Sequence, residues 1–148
     1  MTALAQNYNQ PLYERAHQVK HTVIAASVTL YAGTLCMNDS GVAKVYTAAG
    51  IAGGAKLLGF PTSTHTNSTA SNVTLTQPMM FRRGCPMEVS AKSGDEPTIA
   101  NVGGNVYLKD NFTVGATDAG TDLAVVLLEV LSASKMLIAL PWFKGTTP

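Results

Sequence analysis

The segment from Gly103 to Trp142, GGNVYLKDNFTVGATDAGTDLAVVLLEVLSASKMLIALPW, constrains the fold most, because it joins strand-like apolar runs by turns in one readable order. Val106-Tyr107-Leu108 is β-prone and closes on Lys109-Asp110-Asn111; Phe112-Thr113-Val114 then reopens an extended segment, which predicts a hairpin. Asp118 to Asp122 is a turn cluster, since Gly tolerates a positive φ and Asp bonds the local backbone. The apolar run Leu123 to Leu131 follows, turns through Ser132 to Lys135 into Met136 to Leu140, and stops at Pro141. Periodicity alone leaves Leu123 to Leu131 open to a buried helix. Val125, Val126 and Val130 favour a strand, because β-branched side chains lose rotamer freedom in a helix. Glu129 then belongs at a solvent-facing position near the strand end. The expectation is an all-β module with a buried final hairpin.

Upstream, His21 to Leu30 is apolar and partly β-branched, and Asn38-Asp39-Ser40-Gly41 is a turn between Gly33–Met37 and Val42–Tyr46, a second hairpin. Ala48 to Gly54 is small and glycine-rich, and Lys56 to Phe60 reads as a short strand. Thr62 to Thr76 is hydroxyl-rich and nearly uncharged, and is expected to be an exposed loop of unusual length. Met79 to Lys92 reads as one strand interrupted at Gly84 and Pro86 by a bulge or an edge, because Pro cannot donate to a ladder. Ser93 to Ala100 is another turn region. Met1 to Lys20 lacks a sustained period and is expected to form an extended arm, with a short helix from Pro11 to His21 as the alternative. The fold expected is mainly β: an arm over residues 1–20 and a single compact β-barrel or β-sandwich, β-tulip or jelly-roll-like, over residues 21–148.

At 148 residues the chain has the length of one domain and can bury a core without disulfides. A net charge of +1 gives no basic stripe to neutralise phosphates, which argues against nucleic-acid binding. No signal peptide is legible at the start, and no apolar run reaches the roughly 20 residues that a bilayer requires. These features lead to the expectation of a soluble protein made in the cytosol, with no membrane partner. The Asn-x-Ser/Thr triplets at Asn67, Asn72 and Asn111 then read as chance products of a Thr/Asn-rich chain. Cys36 and Cys85 lie in no metal-ligand pattern and read as two buried free thiols.

Candidate chemistry is sparse. His17 and His21 are four apart, as two helical metal ligands could be, but lack a third ligand. His65 sits in the Ser/Thr-rich segment with no acid nearby in sequence, and a dyad with either cysteine would need contacts supplied by the fold. Gly50 to Lys56 has the wrong glycine spacing for a phosphate loop and no Ser or Thr after the Lys, and reads as a mobile glycine turn. Asp39, Asp95, Glu96, Asp110, Asp118 and Asp122 all stand among turn residues. No catalytic residue, metal site or cofactor is therefore expected. The residue types that anchor interfaces are Tyr8, Pro11, Tyr13 and Arg15 in the arm, together with the adjacent pair Arg82 and Arg83, which strand alternation points to opposite faces.

The order Thr29-Leu30-Tyr31-Ala32-Gly33-Thr34-Leu35, Leu57-Leu58-Gly59, Gly104 to Asp110, Ala124 to Val130 and Leu137 to Pro141 resembles the capsid cement, or head decoration, proteins of tailed bacteriophages. The likeness spans about residues 19 to 142 and is a pattern of short strands and Gly turns. It implies a small β-rich protein, made in the host cytoplasm, that sits on the outside of an icosahedral head. There it would oligomerise, as a trimer rather than a dimer, and clamp neighbouring major capsid protein subunits against the pressure of packaged DNA. Under that resemblance the arm would add a strand to a sheet edge of the capsid protein, with Tyr8 and Tyr13 filling pockets. The long Thr-rich segment and the longer N-terminal segment depart from shorter members of the family. Other readings are a tail-tube or head-fibre-base subunit, a small hydrolase, and a carbohydrate-binding β domain that uses Thr62 to Thr76.

Overall fold

The computed structural model describes residues 18–84 and 86–140. The first part of the chain forms β1 (Gln18–Ile24), β2 (Val28–Leu30), β3 (Cys36–Asp39), β4 (Val42–Val45), the short helix α1 (Ala48–Ala52), β5 (Lys56–Pro61), β6 (His65–Asn67) and β7 (Val73–Arg82). The second part forms β8 (Pro86–Ala91), a 3-10 turn (Ile99–Asn101), β9 (Asn105–Leu108), β10 (Thr113–Gly115), β11 (Leu123–Ser132) and β12 (Lys135–Ala139). The chain is thus mainly β, and its sheets close. One barrel runs β1-β4-β3-β5-β7 and a second runs β8-β10-β9-β11-β12, while β2 and β6 form a separate two-stranded ribbon.

The two barrels share one topology. In each, the first strand in chain order lies parallel to the third (β1 with β4, β8 with β10) and antiparallel to the fifth (β1 with β7, β8 with β12). The second strand pairs antiparallel with the third (β3 with β4, β9 with β10) and with the fourth (β3 with β5, β9 with β11). The fourth pairs antiparallel with the fifth (β5 with β7, β11 with β12). Every joint of one ring has its counterpart in the other, including the parallel one. The chain is an internal repeat of one small barrel.

Alternation fills each barrel. Met87, Val89, Val106, Leu108, Val114, Val125, Leu127, Met136 and Ile138 are buried while their strand neighbours point outward, as a narrow barrel packed with side chains requires. The first barrel encloses Ile24, Cys36, Ala43, Leu58, Met79 and Phe81. Its strands β3 and β5 are buried on both faces. Cys36 and Leu58 point into the first barrel, whereas Leu35, Met37 and Leu57 join the core of the second, together with Tyr46 and with Ile51 and Ala55 around α1. The backbone seals the seam through Leu35 N–H, which donates to Asn111 O over 2.8 Å.

The hairpins expected on sequence form as β9/β10, β11/β12 and β3/β4. Leu123 to Leu131 is strand, and Glu129 is exposed. Four expectations are corrected. The glycine turn expected at Gly50 to Lys56 begins inside α1: Thr47 caps the helix by accepting from Gly50 N–H, and Ile51 gives it an apolar anchor in the core. The loop Thr62 to Thr76 contains β6 and the start of β7, because Thr suits a pleated surface and the neighbouring β2 offers a strand to pair with. Gly84, at φ 80°, and Pro86 mark the passage from one barrel to the other rather than a bulge or an edge. The helix alternative for Pro11 to His21 fails over Gln18–His21, which pairs with Arg82–Met79; Gln18 to Lys20, assigned to the arm on sequence, are thus strand.

Gly59 permits closure of the first barrel. At φ 108° it stands where a Cβ would lie 1.9 Å from the carbonyl oxygen of Arg82, so only glycine lets β5 and the end of β7 approach. Gly59→Ala is expected to cost about 3 kcal/mol or more in chemical denaturation. Gly94→Ala, at φ 85° with nothing near its Cβ position, should cost about 1 kcal/mol. Equal costs at the two positions would contradict the close approach.

Candidate interaction surfaces

The side chains best suited to chemistry are committed to structure. Cys36 is a free thiol inside the first barrel, donating to Thr34 O, and burial pushes its pKa up to about 12, the opposite of an activated nucleophile. Tyr46 is enclosed at the seam; its hydroxyl lies beside the Leu123 backbone without a hydrogen bond of acceptable geometry, and burial first, then the charges of Asp122 and Asp110, push it up to about 12. Lys109 and Asp122 form a largely buried ion pair at 2.6 Å that gathers the connection between β10 and β11, with Lys109 also donating to Thr117 O and Asp122 accepting from Ala119 N–H. Asp95 ties the same connection from outside by accepting from Thr117 N–H and Oγ1, which hold its carboxyl below the ordinary value. Asp110 and Asp118 make the local turn bonds expected of them, to Phe112 and Gly120 N–H.

Among the described residues no group of three or more His, Cys, Asp or Glu could hold a metal ion, and no helix is long and apolar enough to cross a membrane. His21 is a strand residue whose Nδ1 accepts from Val23 N–H at the β1 irregularity, so it has no helical face to share with His17, which lies outside the described residues. Cys85 also lies outside them, as do Tyr8, Pro11, Tyr13 and Arg15. Arg82 is exposed at the end of β7, whereas Arg83 turns inward and donates to Leu57 O over 2.8 Å, tying the barrel connection to β5. The two arginines do diverge, but Arg83 is engaged by its own chain.

The first of two surfaces is the β2–β6 ribbon, an addition peculiar to the first repeat. There the link between the fourth and fifth strands carries β6, whereas in the second repeat β11 turns into β12 with Ser132 paired to Lys135. The ribbon is fastened by Asn67, a buried amide only 5% exposed. Its Nδ2 donates to Ala25 O and Ser71 O, each at 2.9 Å, with Ile24 O at 3.4 Å, and its Oδ1 accepts from Thr69 N–H and Oγ1. Asn67 is thus a structural pin, and Asn72 Oδ1 adds a second by accepting from Ala26 N–H. Outside lie Ser63, Thr64, Thr66, Ser68 and Thr69, with Tyr31 beyond the end of β2. Every other strand among the described residues belongs to a ring, whereas the two strands of this ribbon belong to none.

The second surface was missed on sequence. The final hairpin is buried on one face only: Val125 and Leu127 point inward, but Val126 (38% exposed), Leu128 (40%) and Leu131 (39%) stand in solvent. Ile99 (82%) and Val102 (42%) are exposed at the adjacent 3-10 turn, whose Gly103 N–H donates to Leu127 O. A continuous apolar run reads as buried on both sides, and the signal against that reading was the lone Glu129.

Comparisons of the chain with protein-family models, with curated proteins and with solved structures return no match.

Two outcomes test these assignments. Asn67→Asp replaces a donor amide with a carboxylate facing three carbonyls and should cost about 3 kcal/mol or more, against about 2 for Asn67→Ala, with faster proteolysis within residues 62–72. Cys36 and Tyr46 keep their protons in the fold where the unfolded chain releases them, so stability is full below pH 9.0, the ordinary thiol value, and falls as pH rises toward about 12. Melting temperature against pH should show that fall, and Cys36→Ala should delay its onset toward pH 10.0, the ordinary value of the tyrosine hydroxyl.

Proposed function

We propose that this chain is a capsid cement protein of a tailed bacteriophage. On this reading it binds the outside of the icosahedral head and holds major capsid protein subunits together against internal DNA pressure. The observation that carries the reading is the division of labour among its side chains. Among the described residues Cys36 is enclosed and Lys109, Asp122 and Asp95 are bound within the fold, while the surface offers an apolar strand face and a hydroxyl-rich ribbon. A protein of that kind works by contact. Two closed barrels joined by one core make a stiff wedge, and a near-neutral surface suffices when many weak contacts repeat on a symmetric shell.

The residues that carry the resemblance fall on β2 and its following turn, β5, β9, β11 and β12. They are framework positions, which supports kinship of fold more than a shared contact set. Contact with the capsid is assigned to Tyr8, Pro11, Tyr13 and Arg15 in the arm and to the exposed Arg82, beside which the described chain begins, since Gln18 pairs with it. The partners are the major capsid protein and further copies of this chain, on the virion surface; neither nucleic acid, a membrane nor a cofactor takes part.

Heads carrying the protein should withstand a higher temperature than heads lacking it at matched DNA content, scored by DNA release. Deleting Met1 to Ala16 should abolish attachment to heads while leaving the melting curve of the isolated protein in place. Unchanged occupancy after that deletion removes the arm from the mechanism, and unchanged heat resistance with the protein absent removes the cement reading.

A further inference from the structure

We infer that the first barrel docks against an acidic protein surface through Lys20 and Arg82; the inference deepens the cement reading by naming the chemistry of the surface bound, and rests on that reading only for the capsid as its bearer. The net charge of +1 hides a strong polarity. Residues 18–84, the first barrel with its ribbon, hold Lys20, Lys44, Lys56, Arg82 and Arg83 against Asp39 alone, a net charge of +4. Residues 86–140, the second barrel, hold seven acids against Lys92, Lys109 and Lys135, a net charge of −4.

The two halves also differ in what their charges do. In the second barrel most acids are engaged at home: Asp122 pairs with Lys109, Asp95 binds Thr117, Asp110 and Asp118 close turns, and Glu88 stands 3.9 Å from Lys135. In the first, Asp39 takes Lys44, and Arg83 turns inward to Leu57 O. Lys20, Lys56 and Arg82 are exposed, and among the described residues no carboxylate lies within ion-pair distance of them. Two of these three share one face. Gln18 is the register partner of Arg82 and Lys20 that of Met80, and strand alternation turns Gln18, Lys20 and Arg82 outward together. Lys20 and Arg82 are therefore diagonal neighbours about 7 Å apart, close enough to hold one acidic patch between them.

Like charges held side by side repel one another, a cost that an acidic partner removes. Three free cations neutralise too few phosphates to hold a nucleic acid firmly, and a duplex, with a charge about every 1.7 Å, would run from the first barrel onto the repelling second one. A bounded acidic patch on a protein avoids both difficulties. A second copy of this chain is a poor candidate for it, because most of its acids are already engaged. The acidic barrel then points away from the partner, so the polarity sets which end of the molecule meets the shell.

The test compares two charge reversals that change the net charge equally but on different barrels, Lys20→Glu and Lys92→Glu, in the full-length protein. Binding is measured at low and at physiological salt to heads lacking the protein, to a short glutamate-rich peptide and to duplex DNA. The natural chain should bind heads and the peptide, more weakly as salt rises, and DNA least. Lys20→Glu should raise the dissociation constant for heads and peptide about tenfold, and Lys20→Glu with Arg82→Glu further, whereas Lys92→Glu should leave it unchanged. If the reversals fail to fold, Lys20→Gln with Arg82→Gln should still raise it about threefold, and Lys92→Gln should not. Equal effects from the two barrels, binding indifferent to salt, tighter binding to DNA, or a mass that rises at low salt through Lys20 and Arg82 with no partner present overturns the inference. Heads that bind with Lys20→Glu silent sink this contact and leave the cement reading; a peptide bound through Lys20 and Arg82 while heads are never bound sinks the cement reading and leaves the contact.

Discussion

Burial of β3 and β5 on both faces is the constraint on which the molecule depends. A five-stranded barrel has a narrow interior, and the first encloses few large side chains; Phe81, Met79, Leu58 and Ile24 are the main ones. Such a unit buries too little apolar surface to be robust alone. By sending Leu35, Met37 and Leu57 outward into the second core, the same strands serve two interiors. Each barrel thereby becomes a wall of the other's packing. The tight Gly59–Arg82 approach and the inward Arg83 hold that wall in register, because a slip of one residue on β3 or β5 would exchange the two faces.

Seen as a repeat, the molecule separates what the barrel needs from what has been added to it. Both copies keep the ring and its parallel joint, but the connections differ. The first copy carries α1 between its third and fourth strands and the Asn67-pinned ribbon on the long link before its fifth. The second copy replaces the helix with a turn organised by Lys109 and Asp122. A buried ion pair costs desolvation that an apolar contact would avoid, so its benefit lies in fixing one conformation of the connection. Gly115 shows how tight that arrangement is, since a side chain there would run into the Asp95 carboxylate and the Lys109 stem. Variation gathered in connections around a constant ring is how a scaffold acquires surfaces without losing its core.

Those surfaces are of two chemical kinds. The ribbon is small, polar and nearly uncharged, and its edges lie outside any closed ring. The β9–β11 face is apolar and formed by a strand that is itself part of a closed ring, so only its side chains are available. The first suits backbone pairing and hydroxyl contacts; the second suits packing against another apolar face. They sit on different barrels, and under the cement role proposed above they would serve different neighbours.

Local chemistry by itself determined the mainly β class, the three tight hairpins and the turn roles of Asp110 and Asp118. Each depends on residues within a few positions of one another: turn types set by Gly, Asn and Asp, and β-branched runs on either side. The tertiary structure decided the rest. That closure occurs twice, that β7 and β8 belong to different rings, and that Thr62 to Thr76 is partly strand all depend on partners remote in sequence, such as β1 with β7 and β2 with β6. The same holds for burial. Cys36 and Leu58 are no more apolar than Val126 and Leu128, yet the former are enclosed and the latter exposed. Which face of an apolar strand meets solvent is set by what packs against it, and no stretch of sequence carries that information alone.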